Sequence, residues 1–207
     1  MVVETKQRLA QAYDADAVRR SQSAVSDWKI AERDAFLNRL AAENKSALLE
    51  IGAGTGKDSR FFHDKGLSVK CIDLSPEMIR LCREKGLDTR VMDFYSLDFE
   101  DESFDAVYAL NCLLHVPKAE LGTVMEEIRR VLRPDGLFFM GLYGGIDSEG
   151  VWDKDWCEPK RFFAMYSDRS VQSSVTPYFA LQDFHTVPLV AGEPHFQSLT
   201  LRKTDGL

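Results

Sequence analysis

Residues 48–56 read Leu-Leu-Glu-Ile-Gly-Ala-Gly-Thr-Gly, a short apolar run with an acid near its end and three glycines after it. Apolar residues that follow one another without alternation are typical of a strand buried in a parallel sheet. Gly52, Gly54 and Gly56 permit backbone angles and close approaches that a β-carbon would block. A helix pattern begins at Lys57. A strand, a glycine turn and a helix N-terminus together predict a cradle for a nucleotide-like cofactor.

Helix patterns precede this stretch, and strand and helix patterns alternate after it. Further strands are predicted at 68–73, 87–93, 104–110 and 137–140. Helices are predicted at 57–65, 76–85 and 118–132. Ser75 caps one of these helices and Pro76 lies in its first turn. Such an order implies a parallel sheet with helices on both faces. Segments 178–187 and 196–202 are predicted to pair antiparallel, because only a short link joins them.

The flanks suggest how one domain of 207 residues is divided. Residues 1–44 are predicted to form two helices, 4–20 and 26–43, as a lid outside the sheet or over its edge. Residues 46–142 would be the cofactor-binding core. Residues 143–166, rich in Gly and Asp, are expected to be a loop on the substrate side, and 167–207 a helix followed by antiparallel strands.

Composition excludes several function classes. A net charge of −7 argues against a protein that binds nucleic-acid phosphates over a broad face. The four cysteines form no Cys-x-x-Cys pair and have no His at ligand spacing, so free thiols in a reducing compartment and no metal are expected. No segment approaches the ~20 apolar residues of a membrane span, and the N-terminus lacks a signal-peptide pattern. We therefore expect a cytoplasmic protein without a membrane partner.

The ends of the predicted strands indicate which cofactor is bound. Asp73 ends the second strand, where an acid can accept hydrogen bonds from both ribose hydroxyls. Asp93 ends the third strand and Asn111 follows the fourth. The alternatives are a turn acid at Asp73, a surface acid at Asp93 and, for Met78, a core methionine rather than a cover for adenine. A nicotinamide dinucleotide usually needs Gly-x-Gly-x-x-Gly, whereas here the third glycine comes one residue early.

Together these residues resemble the class I S-adenosylmethionine-dependent methyltransferases. The chain is similar to that family at 50–56, 71–79, 91–94, 104–116 and 128–137, in the family's order. The resemblance implies a doubly wound, Rossmann-like α/β sheet of seven strands, mostly parallel with a reversed last strand. It also implies S-adenosylmethionine as cofactor, S-adenosylhomocysteine as product, and contacts to them from Tyr13, Glu50, Gly52, Ala53, Gly54, Gly56, Asp73, Leu74, Met78, Asp93, Phe94 and Asn111.

The acceptor is less well determined. His115 follows the fourth strand and is a candidate base, with a structural histidine bonded to backbone as the alternative. An aromatic acceptor pocket could use side chains from the two flanks, although Trp28 could simply pack its helix on the core; the candidates are Trp28, Trp152, Trp156 and Tyr166. We expect transfer to an O or N centre of a small molecule. An RNA methyltransferase, a non-catalytic cofactor-binding module and a nicotinamide-dependent oxidoreductase are the alternatives.

Overall fold

A computed structural model describes residues 3–189 and 194–204, with side chains from Thr5 onward. The helices of this part of the chain are α1 (Val3–Gln22), α2 (Asp27–Ala42), α3 (Lys57–Asp64), α4 (Pro76–Glu84), α5 (Leu121–Val131) and α6 (Asp168–Val175). Its strands are β1 (Ala47–Ile51), β2 (Ser68–Asp73), β3 (Asp88–Val91), β4 (Phe104–Leu110), β5 (Leu132–Gly144), β6 (Ser148–Val151), β7 (Phe162–Met165), β8 (Ala180–Val187) and β9 (His195–Arg202).

Seven of these strands form one sheet in the order β3-β2-β1-β4-β5-β9-β8. Strands β1 to β5 pair in parallel, and β9 runs antiparallel to both β5 and β8. The predicted seven-stranded, mostly parallel sheet with a reversed last strand is confirmed. Strand order changes direction between β1 and β4, and ligands bind above such a switch point, at the carboxyl ends of the strands.

Helices cover both faces of the sheet, and successive side chains of a strand point to opposite faces, so each strand contributes to two cores. Leu48 packs with Phe36 and Leu40 of α2 and Phe62 of α3, whereas Leu49 faces the opposite layer. That second layer is built from α5 and α6, whose buried side chains are Leu121, Val124, Met125, Ile128, Val131, Val171 and Val175. The apolar runs of the sequence therefore fill two cores at once.

The two N-terminal helices occupy different places. Helix α2 packs on a face of the sheet, where Glu32 accepts a hydrogen bond from Ser198 of β9 (2.6 Å) and Arg33 pairs with Asp58 of α3 (2.9 Å). Helix α1 instead crosses the carboxyl edge, where its Asp14 accepts hydrogen bonds from Ser75 Oγ and the Glu77 backbone N–H. The sequence allowed either position for this region, and the structure uses both.

Some predicted boundaries are wrong. Residues 143–166 contain a β-hairpin rather than only a loop, because β6 and β7 pair antiparallel in a small sheet of their own. Residues 133–136 do not separate a helix from a strand; they form an irregularity inside β5, where the register against β4 shifts. The helix predicted from residue 118 opens with a 3-10 turn, Lys118–Glu120, before α5 begins. Among the described residues, no helix is long and apolar enough to cross a membrane.

Substituting Gly52→Ala tests how closely the turn after β1 approaches β4. Gly52 has φ +69°, and a Cβ there would lie 2.4 Å from Cys112 Cβ, which the backbone holds in place. Gly86→Ala is a matched control, since Gly86 has φ +75° but open space around its Cβ position. We expect urea denaturation to show a loss of ~1–2 kcal/mol for Gly86→Ala from the left-handed backbone. Gly52→Ala should lose ~1–3 kcal/mol more from overpacking, and equal losses would contradict the close approach.

Candidate active site

A pocket lies between α1 and the carboxyl ends of β1, β2, β3 and β4. Of the residues predicted from sequence, twelve line it: Tyr13, Glu50, Gly52, Ala53, Gly54, Asp73, Leu74, Met78, Asp93, Phe94, Asn111 and His115. Gly56 is not among them. It begins α3 with φ +74°, and a Cβ there would lie 2.8 Å from both Cys82 Sγ and Leu87 Cδ1. Gly56 therefore shapes the turn from behind rather than lining the pocket.

Asp73 ties two turns together at the pocket floor. Its Oδ2 accepts the Gly54 N–H (2.8 Å) and its Oδ1 accepts the Ser75 N–H (2.9 Å). Ser75 Oγ caps α4 by accepting from Met78 N, so Asp73 is not the cap. Burial raises the pKa of Asp73, while these two backbone N–H groups act in the opposite direction. Each carboxylate oxygen keeps a lone pair for a further donor, such as a ribose hydroxyl.

Asp93 lies at the adjacent strand end and already has two partners. Lys6 of α1 donates to its Oδ2 (2.7 Å), and the Tyr95 N–H donates to its Oδ1 (2.8 Å). Lys6 also lies 4.3 Å from the centre of the Tyr95 ring. The first turns of α1 are therefore held over the β3 end of the pocket, beside the acid predicted to face the adenine edge.

Asn111 carries the most direct sign of a ligand. Its backbone is left-handed (φ 55°), and its N–H donates to Gly141 O (2.7 Å), which fixes the residue at the end of β4. Both side-chain polar atoms, Oδ1 and Nδ2, are buried without a close hydrogen-bond partner within the described part of the chain, and the amide interacts only weakly with the Tyr143 hydroxyl. Buried polar groups almost always have partners. A donor and acceptor that line a pocket without a close one indicate that a polar molecule completes them.

Glu50 and Asp58 form an acidic corner beneath the turn. Ser59 Oγ donates to the Glu50 carboxyl group, and Arg33 pairs with Asp58. Burial, followed by the nearby Asp58 charge, raises the pKa of Glu50 well above its ordinary value, and burial also raises the pKa of Asp58. A cationic group entering this corner would lower both pKa values and favour the ionised carboxylates.

The protonation state of His115 follows from its partners. The Phe162 carbonyl lies 2.7 Å from Nδ1 and can only accept, so Nδ1 carries a proton. The Tyr13 hydroxyl lies 2.7 Å from Nε2, and Arg161 Nη1 donates to the same hydroxyl oxygen (3.1 Å). Burial, with nearby arginines, lowers the pKa of His115 to about 3. The imidazole is therefore neutral at pH 7, and its Nε2 lone pair accepts the Tyr13 hydroxyl proton.

Arg161 anchors this chain of hydrogen bonds. Its guanidinium pairs with Asp155 through two contacts of 2.8 and 2.7 Å, and the Asp155 side chain is fully buried. Both residues precede β7, whereas Tyr13 belongs to α1 and His115 to the 3-10 turn Leu113–His115. These hydrogen bonds thus join three distant segments at one wall of the pocket. They also hold His115 in the position predicted by the structural alternative, with a hydrogen bond to a backbone carbonyl.

Several residues that line the pocket were not predicted from the sequence. Lys6, Leu9 and Arg20 line the pocket from the face of α1 that carries Tyr13. Their separations of three, four and seven residues are those of one helical face, so the spacing could have found them. Lys29 of α2 also lines the pocket, but nothing in its local pattern distinguishes it from the solvated lysines around it.

The four aromatic residues predicted to recognise the acceptor are not brought together. Trp28 packs on Phe196, with ring centres 4.5 Å apart, which corresponds to the packing alternative. Trp152 contacts the Phe163 ring edge-on, and Trp156 lies under the Arg19 guanidinium. Tyr166 is buried beside Lys118. None of the four lines the pocket.

A family model described as a methyltransferase domain matches residues 49–140, the stretch that holds the glycine turn and the strand-end acids. Over this segment, which is less than half of the chain, the resemblance to the class I S-adenosylmethionine-dependent methyltransferases is confirmed. The matched segment runs from β1 into β5 and leaves out α1, α2 and the β6–β7 hairpin. The family's methyl donor is S-adenosylmethionine.

Known relatives share this part of the chain. A sterol 24-C-methyltransferase of Gibberella zeae is 31% identical over 146 residues, which is 65% of this chain and 37% of that protein. A phosphatidylethanolamine N-methyltransferase of Cereibacter sphaeroides is 36% identical over 135 residues, 58% of this chain and 65% of the relative. The chain thus spans between about a third and two thirds of the length of these relatives.

A solved structure shows the same fold over nearly the whole chain. The 1,6-didemethyltoxoflavin-N1-methyltransferase of Burkholderia thailandensis, with bound 1,6-didemethyltoxoflavin and S-adenosylhomocysteine, superposes with a TM-score of 0.76. The match covers 98% of this chain and 90% of the other, at 23% identity. The likeness extends through the two flanks that the family model does not match.

We expect His115 to stay neutral, protonated at Nδ1, from pH 5 to pH 8. Its folded pKa of about 3 lies below the ordinary 6.5. Its contribution to stability is therefore complete above pH 6.5 and is lost as the pH falls, when the unfolded chain takes up a proton. Long-range ¹H–¹⁵N spectra of histidine-labelled protein measure both ring nitrogens. An Nε2–H tautomer, or titration of His115 above pH 6, would contradict the assigned hydrogen bonds.

Proposed function

We propose that this chain binds S-adenosylmethionine in the pocket under α1 and transfers its methyl group to an O or N centre of a small molecule. The observation that carries this proposal is the buried side-chain amide of Asn111, without a close hydrogen-bond partner among the described residues, at the rim of a glycine turn built for close approach. The match of residues 49–140 to a methyltransferase domain supports the donor. The acceptor and the residue roles below are our proposals.

The adenosine half fits the β2 and β3 side of the pocket. Asp73 has lone pairs for the two ribose hydroxyls, and Asp93 lies one strand further out, where the adenine edge would be. Met78 and Phe94 line the same region with apolar atoms. Gly54 has φ +54° and no atom within 4 Å of its Cβ position, which leaves open space above the turn for the bound molecule.

The amino-acid half fits the opposite end. Arg20 and Lys29 line the pocket there and would hold the carboxylate. Burial lowers the pKa of Lys29, which an arriving anion would reverse. Glu50 and Asp58 line the pocket on the same side and would receive the ammonium group. Cations and acids that lie together at one end of the pocket match a zwitterionic end group.

When bound, S-adenosylmethionine supplies an electrophilic methyl group on a sulfonium, transferred by in-line displacement. The protein has no covalent step to perform, so its residues act by positioning and by excluding water. Ideal alignment of two reactants is worth up to ~7–11 kcal/mol of the barrier. Asn111, Tyr13 and Leu9 line the pocket where the two reactants would meet.

The state of His115 restricts the acceptor. A neutral imidazole of low pKa, whose Nε2 already accepts a proton from Tyr13, is a poor base for an incoming hydroxyl. The acceptor atom would therefore need an available lone pair of its own, as in an unprotonated nitrogen or an ionised oxygen. His115 and Tyr13 would act as positioning residues that shape the wall beside the reacting atoms.

S-adenosylhomocysteine should raise the melting temperature, whereas NAD should not. A ligand at 100 times its Kd adds ~2.7 kcal/mol to the free energy of unfolding. Asp73→Ala should remove most of this stabilisation because the ribose contacts are lost. Asp88→Ala is the matched control, since Asp88 is exposed, lies outside the pocket and pairs with Lys70. Stabilisation by NAD but not by S-adenosylhomocysteine would refute the cofactor assignment. So would an affinity of Asp73→Ala for S-adenosylhomocysteine, measured by titration calorimetry, that equals that of the unsubstituted protein.

Lys29→Gln tests the carboxylate contact. We expect at least ~10-fold weaker binding of S-adenosylhomocysteine, because a hydrogen bond to a charged group contributes ~1.5–3 kcal/mol. Binding of 5′-methylthioadenosine, which lacks the amino-acid end, should not change. Lys65→Gln, on an exposed lysine outside the pocket, is the control. Equal weakening for both ligands would show that Lys29 does not contact the carboxylate.

A further inference from the structure

We propose that a second cavity, on the other side of His115, binds an anionic group of the acceptor. This inference rests on the proposed function. The cavity is separate from the cofactor pocket, but Leu9 and His115 line both. A molecule bound in the second cavity therefore ends at the wall of the first, beside the place where the two reactants would meet.

The lining of this cavity comes from the two flanks of the chain. Of its eight residues only His115 lies within the matched segment 49–140. Helix α1 supplies one side, and the hairpin strands with the segment between them supply the other; the seven flanking residues are Thr5, Arg8, Leu9, Val151, Lys160, Arg161 and Phe162. The methyl-donor core therefore contributes almost nothing to it, as expected of a site that recognises a particular acceptor.

The charge of the cavity has one sign. Arg8, Lys160 and Arg161 line it, and no Asp or Glu does among the side chains that the structure describes, although the whole chain carries a net charge of −7. The Arg161 charge is balanced by Asp155. Lys160 donates to the Asp153 carbonyl, which leaves its charge uncompensated, and Arg8 pairs with no carboxylate among the described side chains. Two cations from different segments thus face one space.

These features define the chemical class of the ligand. A lysine and an arginine together bind carboxylates and phosphates. Leu9, Val151 and Phe162 add apolar surface beside them. The structure assigns to this cavity an acceptor with an apolar body and an oxyanion group, either a carboxylate or a phosphate monoester. The end of the acceptor that carries the reacting atom would point towards Leu9 and His115, which line both cavities.

The test uses protein saturated with S-adenosylhomocysteine, so that the first pocket is filled. Benzoate and phenyl phosphate are titrated by calorimetry, with benzyl alcohol as the neutral probe. We expect at least one anion to bind and the alcohol not to bind. Binding should weaken as salt rises. The anion that binds with the higher affinity identifies the anionic group of the acceptor as a carboxylate or a phosphate.

Variants locate the site. Arg8→Gln and Lys160→Gln combined should weaken the anion by at least tenfold and leave S-adenosylhomocysteine affinity unchanged. Lys154→Gln, an exposed lysine of the same segment outside the cavity, should change neither. Three outcomes would each overturn this inference. The double variant could bind the anion as tightly as the unsubstituted protein, neither anion could bind at all, or the anion could displace S-adenosylhomocysteine. Failure of S-adenosylhomocysteine itself to bind would instead refute the proposed function, and the acceptor role of the cavity with it.

Discussion

The backbone after β1 turns through three left-handed glycines, and the geometry of the site depends on this turn. At Gly52 the chain passes so close to Cys112 that a Cβ would be 2.4 Å from the Cys112 Cβ. At Gly54 the N–H points to the Asp73 carboxylate, which also accepts from Ser75. The ends of β1, β2 and β4 are thereby held against one another, and the strand-end polar groups converge on one pocket.

Helix α1 covers the pocket and is held in place by four polar contacts to different parts of the molecule. Lys6 binds Asp93 beyond β3, Asp14 binds the start of α4, Tyr13 binds His115 beyond β4, and Lys57 of α3 donates to the Arg20 carbonyl. No single exposed ion pair contributes much to stability. Four contacts in different directions nevertheless determine one placement of the helix. That placement puts Arg20 at the end of the pocket proposed to hold the amino-acid group, and it leaves a positively charged cavity on the other side of His115.

Much of this site could be predicted because it depends on local features. The carboxyl ends of parallel strands meet at one edge, so Asp73, Asp93 and Asn111 could be placed together from strand assignments alone. Lys6 and Arg20 share the helical face of Tyr13 and were also within reach of the pattern. Trp152 and Trp156 could not be placed, because the hairpin that carries them is formed by pairing β6 with β7 across a long segment.

The doubly wound core and the proposed methyl donor could be predicted from the sequence, since glycine spacing and strand-end residues act through backbone geometry that is local to each βα unit. The state of His115 became clear only from the folded structure: it is a neutral imidazole whose Nδ1 donates to the Phe162 carbonyl and whose Nε2 accepts from the Tyr13 hydroxyl. The folded structure also shows that α1 and the β6–β7 hairpin enclose a second, positively charged cavity. Both outcomes depend on contacts between residues 47 to 148 positions apart in the sequence, which no local pattern records.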